Sequence, residues 1–220
     1  MAFENGLQRR CGGLESSSRG EHPGSPKRGL EHPLHRRAQT TVLAMRGMAV
    51  EFPEVHGHPN RLPFEGCLTL VDVPSDKAPS GARGHRVVLT KAAAETALPS
   101  LLGMAVDYKA GWDGHDARQK CGIITSATLE DQRLMVTGFL FARDFPEMEP
   151  EIAKAGQDAM GMSYELADAH VADMRASVWT LTRATFTGAA ILLREKAAYR
   201  STSCRVGGVR RSLLSRETKR

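Results

Sequence analysis

Two neighbouring runs of branched and apolar residues constrain the fold of this chain more than any other feature. "CGIITSATLE" (121–130) and "RLMVTGFLFA" (133–142) are rich in Ile, Val, Thr and Leu, and the turn "EDQ" (130–132) joins them. This composition favours β-strands. Because so short a connection can only return the second strand antiparallel beside the first, the sequence predicts a β-hairpin and, with it, an antiparallel sheet.

Further runs on both sides of the hairpin predict the remaining elements. "KAAAETALPSLLG" (91–103) predicts a helix that stops near Pro99, because proline lacks an amide donor. "PEMEPEIAKAGQDAM" (146–160) predicts a second helix, with acidic residues in its first turn, that leads into Ser163. Strands are predicted at "LPFEGCLTLVDV", "HRVVLTK", "MSYELADAHV", "ASVWTLT" and "FTGAAILL". About eight strands with two helices indicate an α+β fold, a mostly antiparallel β-barrel or sandwich with a few helices.

The composition changes along the chain and predicts one domain with an extension at each end. Residues 1–60 are rich in Gly, Ser, Pro, His and Arg without strand or helix periodicity, which predicts a disordered N-terminal extension. Residues 61–200 form the predicted domain, and the low aromatic content of the whole chain, 5%, predicts an aliphatic core. Residues 201–220 are predicted to be a basic, flexible tail. Met45 and Met48 are alternative positions for the start of translation.

The distribution of charge argues against direct nucleic-acid binding. The net charge is +5, but residues 51–193 carry 13 Lys and Arg against 19 Asp and Glu. The positive excess lies at the ends: residues 1–50 carry 8 basic against 4 acidic residues, and residues 194–220 carry 9 against 2. A nucleic-acid-binding fold usually carries its basic patch on the structured part, so these ends are interpreted as solvated or partner-binding arms.

Cysteine spacing, histidine positions and hydropathy indicate which redox compartment, cofactors and membrane association to expect. The four cysteines, Cys11, Cys67, Cys121 and Cys204, have no CxxC spacing, which predicts free thiols in a reducing compartment. Histidines are frequent before residue 60, but no cysteine or carboxylate ligands accompany them at zinc-finger spacing, so no metal or other cofactor is expected. No run of 18 apolar residues occurs and the N-terminus lacks the apolar block of a signal peptide, so no membrane association is expected.

Ser163 and His115 are the residues on which a catalytic hypothesis depends. A serine becomes a nucleophile only when a nearby base takes its proton, and histidine is the usual base near neutral pH. Between residues 62 and 193 the histidines are His85, His115 and His170. His115 lies in "YKAGWDGHDARQKCGII" (108–124), a loop rich in Gly and Asp that enters the first strand of the hairpin, where a side chain can be exposed and yet held by the scaffold.

The order of several motifs resembles a known family. "LPSLLGMAVDY", "DGHDARQKCGIITSA", a hairpin, a helix, "GMSYE" and "WTLTRATFTGAAIL" follow one another over residues 62–200. This order resembles that of the prohead (capsid maturation) proteases of tailed bacteriophages, which are related to the herpesvirus assemblins. The resemblance implies an assemblin-like fold and a serine endopeptidase, with Ser163 as the nucleophile and His115 as the general base.

The resemblance also implies a third catalytic residue, a histidine or an acidic residue that orients the base. The strand after the nucleophile, "VWTLTRATF", offers no carboxylate, so the candidates are His170, Asp168 and Asp173, with His170 placed first. Along an unbroken strand Asp168 and His170 face away from Ser163, so either would need a β-bulge to join it.

The resemblance further implies the biological setting. The expected substrates are phage scaffold and major capsid precursor proteins, and also the enzyme itself through autocleavage of its basic tail. The expected location is the bacterial host cytoplasm, inside the assembling procapsid, and a homo-oligomer is possible. Two alternatives remain: a catalytically degenerate scaffold or assembly protein of the same fold, which the missing carboxylate favours, and a bacterial binding module unrelated to phage.

Overall fold

The computed structural model describes residues 47–53, 55 and 57–207. The predictions for the N-terminal extension up to residue 46 and for the tail beyond residue 207 lie outside the described residues. Within the described part, no helix is long and apolar enough to cross a membrane.

Nine strands and two helices form the described part of the chain. In chain order they are β1 (Gly47–Ala49), β2 (Leu62–Leu70), β3 (Arg86–Leu89), α1 (Lys91–Ala97), β4 (Ala105–Asp107), β5 (Lys120–Glu130), β6 (Arg133–Leu140), α2 (Met148–Ala155), β7 (Met160–Val171), β8 (Val178–Leu193) and β9 (Ser203–Val206). A 3₁₀ turn follows each helix, at Leu98–Leu101 after α1 and at Gln157–Ala159 after α2.

The predicted α+β fold class is confirmed. One curled sheet has the strand order β3-β8-β4-β5-β6-β2-β9, with β7 also paired to β8 and β1 also paired to β5. All pairs are antiparallel except β3–β8 and β4–β8. Because the sheet curls, Gly66 on β2 lies directly against the Met162 side chain on β7, although these two strands are not paired.

The predicted hairpin is formed by β5 and β6. The two strands meet at the pair Glu130 and Arg133, and Asp131 in the turn has a positive φ of 53°. Asp tolerates this left-handed conformation better than most residues, which accounts for its place in the turn.

The predicted first helix is also confirmed. The side chain of Thr90 caps its N-terminus by accepting a hydrogen bond of 3.2 Å from the amide of Ala93. The alanines Ala93, Ala94 and Ala97 are buried against the core, which is mainly aliphatic. A helix of small residues can approach the sheet closely.

Two features of the sheet differ from the sequence prediction. The runs "ASVWTLT" and "FTGAAILL" are parts of one strand, β8, which is 16 residues long. β4 was not predicted, because three residues are too few to show an alternating pattern. β4 owes its place to pairing with β8 on one side and β5 on the other.

The ordered domain extends beyond the predicted boundaries of 61–200 at both ends. β1 lies within the predicted N-terminal extension and pairs with β5. β9 lies within the predicted tail and pairs with β2, with Cys204 and Val206 buried at alternate positions. The predicted boundaries followed composition, whereas these short strands are held by pairing with strands distant in the sequence.

We predict that Gly138→Ala strongly destabilises the fold. A Cβ atom at this position of β6 would lie 2.0 Å from the carbonyl oxygen of Ile123 on the paired strand and 2.8 Å from the Phe64 ring. Backbone in a sheet cannot move aside without breaking its pairing, so we expect a loss of about 3 kcal/mol and a melting temperature lower by about 10 °C.

Thermal unfolding followed by circular dichroism measures this effect. Gly114→Ala is the matched control, because a Cβ there meets nothing within 4 Å. Equal melting temperatures for Gly138→Ala and the parent would contradict the packing described for β5 and β6.

Candidate active site

Ser163, Ala190 and Asp107 lie side by side on three adjacent strands. β8 pairs with β7 on one edge, where Ser163 is opposite Ala190, and with β4 on the other edge, where Asp107 is opposite the same alanine. Residues paired in register point to the same face of a sheet, and two strand spacings amount to about 9.5 Å. Ala190 contributes only a methyl group, so the space between the serine and the carboxylate is open to a third side chain.

His115 occupies a position beside the Asp107 carboxylate. Its Nδ1 lies 3.3 Å from Asp107 Oδ1 and 3.8 Å from Glu165 Oε1, and its side chain is 14% exposed. The nearer contact has the length of a hydrogen bond but is poorly aligned, and Nε2 has no hydrogen-bond partner among the described residues. An imidazole held through Nδ1 presents Nε2 as the free basic nitrogen.

The Asp107 carboxylate is buried, and each of its oxygens faces a basic side chain. Its side chain is 1% exposed; Oδ1 faces His115, and Oδ2 accepts a hydrogen bond of 2.8 Å from Lys120 Nζ. Burial acts to raise the pKa of Asp107, but its contacts with His115 and Lys120 outweigh burial and lower the pKa below its ordinary value. Asp107 is therefore an anion at neutral pH and stabilises a positive charge on His115.

Glu165 places a second carboxylate beside the same imidazole. It lies two positions after Ser163 on β7 and opposite Gly188 on β8. A Cβ atom at Gly188 would lie 2.6 Å from Glu165 Oε2, so the glycine leaves room for this carboxylate. Asp107 and Glu165 thus both face Nδ1 of His115, and no described residue contacts Nε2 through a hydrogen bond.

The loop that carries His115 is fastened to β8 and α2. Trp112 has a positive φ of 57°, and its carbonyl accepts a hydrogen bond of 2.8 Å from the amide of Leu193. Its indole Nε1 donates to Glu151 at 3.0 Å, and the Tyr108 hydroxyl donates to Glu147. The acidic residues at the start of the second helix thus hold the loop, and a large residue keeps a left-handed backbone conformation because its side chain is anchored.

Ser163 and His115 share a cavity of about 260 Å³, called here the Ser163 cavity. Its wall opposite the sheet comes from the loop 77–80, and its other residues come from the His115 loop, β7, β8 and the segment after β8. The lining residues are Lys77, Ala78, Pro79, Ser80, Asp113, Gly114, His115, Ser163, Glu165, Leu192, Lys196 and Ala198. No group of His, Cys, Asp and Glu among residues 47–53, 55 and 57–207 could hold a metal ion.

The structure brings together two of the three predicted site residues, Ser163 and His115, but not His170. His170 is exposed near the far end of β7, where its Nδ1 lies 2.9 Å from Thr182 Oγ1. The bulge that the sequence argument required is present, with a register shift between Ala167 and His170 and a φ of 51° at Asp168. Even so, neither Asp168 nor His170 lines the Ser163 cavity.

Asp173, the remaining candidate, lies in the turn after β7. Its carboxylate accepts a hydrogen bond of 2.8 Å from the amide of Arg175, and it too is absent from the lining of the Ser163 cavity. The orienting position beside His115 is instead taken by Asp107, which sequence reasoning missed. One feature of the sequence could have indicated Asp107: it directly follows the apolar residues of "GMAV". An acid that is buried together with such residues needs polar or charged partners.

Comparisons with solved structures find a distant likeness of fold. No protein-family profile and no curated protein matches the chain. The structure is similar to that of the KSHV protease, crystallised in complex with a hexapeptide phosphonate inhibitor, with a TM-score of 0.43 and 12% sequence identity. The match covers 67% of this chain and 65% of the viral protease, which is less than two thirds of that chain's length.

We predict that Asp107 makes the stability of the protein fall at acid pH. Because its pKa is lower in the folded than in the unfolded state, its stabilising contribution is present above the unfolded pKa and is lost as the pH falls through the folded one. Asp107→Asn removes the charged partner of Lys120, whose side chain is 39% exposed and can be rehydrated, so at neutral pH we expect a loss of about 1–3 kcal/mol.

Urea unfolding between pH 7 and pH 3 tests this prediction. The difference in free energy of unfolding between the parent and Asp107→Asn should shrink as the pH falls. Asp113→Asn is the control, since the Asp113 carboxylate is half exposed and pairs with Lys109 at the surface. A constant difference across this range would contradict the ionic role of Asp107.

Proposed function

We propose that the chain is a serine endopeptidase in which Ser163 is the nucleophile, His115 the general base and Asp107 the residue that orients the base. The observation that carries the proposal is the row Ser163–Ala190–Asp107 with His115 against the carboxylate. An imidazole with a hydrogen bond of about 3 Å at each nitrogen spans about two strand spacings. The serine and the carboxylate therefore have the separation that a triad needs.

The roles follow from the chemistry of these groups. Ser163 Oγ attacks the peptide carbonyl carbon while His115 Nε2 takes the hydroxyl proton, and Asp107 stabilises the resulting imidazolium at Nδ1. When the tetrahedral intermediate collapses, the C–N bond breaks and His115 gives its proton to the leaving amine. Water then attacks the acyl-enzyme with His115 again as the base, which releases the acid product and restores Ser163.

The poor alignment of the contact between His115 Nδ1 and Asp107 Oδ1 is compatible with this mechanism. Catalytic hydrogen bonds are often long in the absence of substrate and tighten in the complex. Lys77 donates a hydrogen bond to the carbonyl of Glu195, which ties the wall of the Ser163 cavity to the segment after β8. A peptide bound between these segments would press on the His115 loop and exclude water from the ring.

The finer proposal is a prohead protease that cleaves phage scaffold and major capsid precursor proteins inside the assembling procapsid, in the bacterial host cytoplasm. Its support is the order of the sequence motifs over residues 62–200. Autocleavage of the basic tail is part of the proposal, and a homo-oligomer is compatible with it. Because β9 ends at Val206, the cut that removes the tail is expected after this strand and not near residue 200.

The alternative is a degenerate scaffold or assembly protein of the same fold. Its main argument was the absence of a carboxylate that could orient His115, and Asp107 removes that argument. One observation still favours it: among the described residues, no hydrogen bond joins Ser163 to His115. The two predictions that follow separate the alternatives.

We predict that Ser163→Ala and His115→Ala each abolish proteolysis and that the double variant is no slower than either. Residues that act as one unit lose their effect together. Single-turnover cleavage of a purified capsid precursor measures the rates, and His85→Ala is the control because His85 stacks on Trp179 away from the Ser163 cavity. Losses that multiply in the double variant would show that His115 only shapes its loop.

We predict that Asp107→Asn lowers kcat by about three to four orders of magnitude, whereas His170→Ala changes it less than about threefold. Loss of the carboxylate removes the stabilisation of the imidazolium and favours the wrong tautomer. Both variants are compared in the same assay at pH 7, at a temperature where circular dichroism shows both to be folded. If His170→Ala gives the larger loss, His170 is the third catalytic residue and the assignment of Asp107 is wrong.

A further inference from the structure

A second cavity, larger than the Ser163 cavity, lies on the other side of the segment that connects β8 to β9. Its volume is about 510 Å³. Leu192, Lys196 and Ala198 of this region face the Ser163 cavity, whereas Arg194 and Arg200 face the second one. The lining residues are Glu65, Gly66, Arg133, Met135, Gln157, Asp158, Arg194, Arg200, Ser201, Thr202, Ser203 and Arg205.

Four arginines line this space, called here the arginine cavity, against two carboxylates. Arg205 lies 3.6 Å from Asp158, in an exposed pair that contributes little. The guanidinium groups of Arg133, Arg194 and Arg200 have no ion-pair partner among the described residues. The cavity therefore carries an excess of two positive charges and several free guanidinium groups, which suit carboxylates or phosphates.

The walls of the arginine cavity are held in place. The Gln157 side chain both donates to and accepts from the backbone of Val206, at 2.7 and 2.9 Å, and so fixes the turn before β7 to β9. The amide of Arg194 donates to Ala159 in the same turn at 2.8 Å. A site with fixed walls loses little conformational entropy when a ligand binds.

The described surface around the cavity favours a peptide over a nucleic acid. Glu65 and Asp158 line the same wall as the arginines and would repel a continuous row of phosphates. Met135 adds an apolar surface, and Ser201 and Ser203 add hydroxyls. The chain's own ends do not complement the site, since residues 1–46 carry 8 basic against 4 acidic residues and residues 208–220 carry 5 against 1.

We propose that the arginine cavity binds an acidic, extended segment of a polypeptide partner, through pairing of Asp or Glu carboxylates with Arg133, Arg194 and Arg200. If the proposed peptidase function holds, this partner is the substrate. Asp158 and Ser163 are five positions apart along the chain, which is at most roughly 17 Å. The acidic segment of the substrate is then separate from the bond that is cut, because the two cavities lie on opposite sides of the segment that connects β8 to β9.

Binding is measured on Ser163→Ala, so that the test does not depend on cleavage. A fluorescein-labelled octapeptide with four alternating glutamates is titrated into the full chain, and fluorescence anisotropy is recorded at low and at physiological salt. The same peptide with glutamine at these positions is the uncharged control. We expect the acidic peptide to bind at least about tenfold more tightly, with an affinity that falls as salt increases.

Arginine variants test whether the acidic peptide binds in the arginine cavity. Arg133→Gln combined with Arg200→Gln should weaken binding of the acidic peptide by about tenfold or more. Arg183→Gln, which removes an exposed arginine of β8 outside the cavity, should leave the affinity unchanged. Circular dichroism verifies that each variant is folded.

Three results would overturn the proposal: equal affinity for the two peptides, an equal loss with Arg183→Gln, or binding of a single-stranded oligonucleotide of the same charge but not of the acidic peptide. If the peptide binds as expected but the parent enzyme cleaves nothing, the arginine cavity stands as a binding site and only the peptidase function fails.

Discussion

The buried carboxylate of Asp107 is the interaction on which the rest of the site depends. A charge that is 1% exposed is tolerated only when partners replace the water it loses. Lys120 satisfies one oxygen and His115 faces the other, so burial of one acid fixes the first residue of β5 and the loop before it. The same carboxylate gives the His115 imidazole a negative neighbour at 3.3 Å from Nδ1.

The long strand β8 makes this arrangement possible. It pairs with β7 along one edge and with β3 and β4 along the other, so a single alanine, Ala190, separates Ser163 on β7 from Asp107 on β4. A small residue is also required at Gly188, where a Cβ atom would lie 2.6 Å from Glu165 Oε2. The second helix holds the loop that carries His115, because its acidic residues accept hydrogen bonds from Trp112 and Tyr108.

Local patterns in the sequence predicted much of the fold, because composition and short connections decide the hairpin, both helices and most strands. His115 and Ser163 were named as site residues from the resemblance in motif order, and the structure places both in the lining of one cavity. Asp107 could not be predicted, since its role rests on the parallel pairing of a three-residue strand with residues more than 80 positions away. His170 was placed first among the candidates for the histidine or acidic residue that the resemblance implies, but it lies seven positions after Ser163 on β7, and a strand carries its residues apart at about 3.3 Å each.

The most direct test of the account is labelling of the folded protein with a fluorophosphonate probe, with the modified residue located by mass spectrometry. Only a serine whose proton is taken by a neighbouring base reacts quickly with such a probe. The account predicts stoichiometric labelling at Ser163 that is lost in folded His115→Ala and strongly slowed in folded Asp107→Asn. Absence of labelling in the folded parent, or labelling of Ser163 that is equally fast without His115, would contradict it.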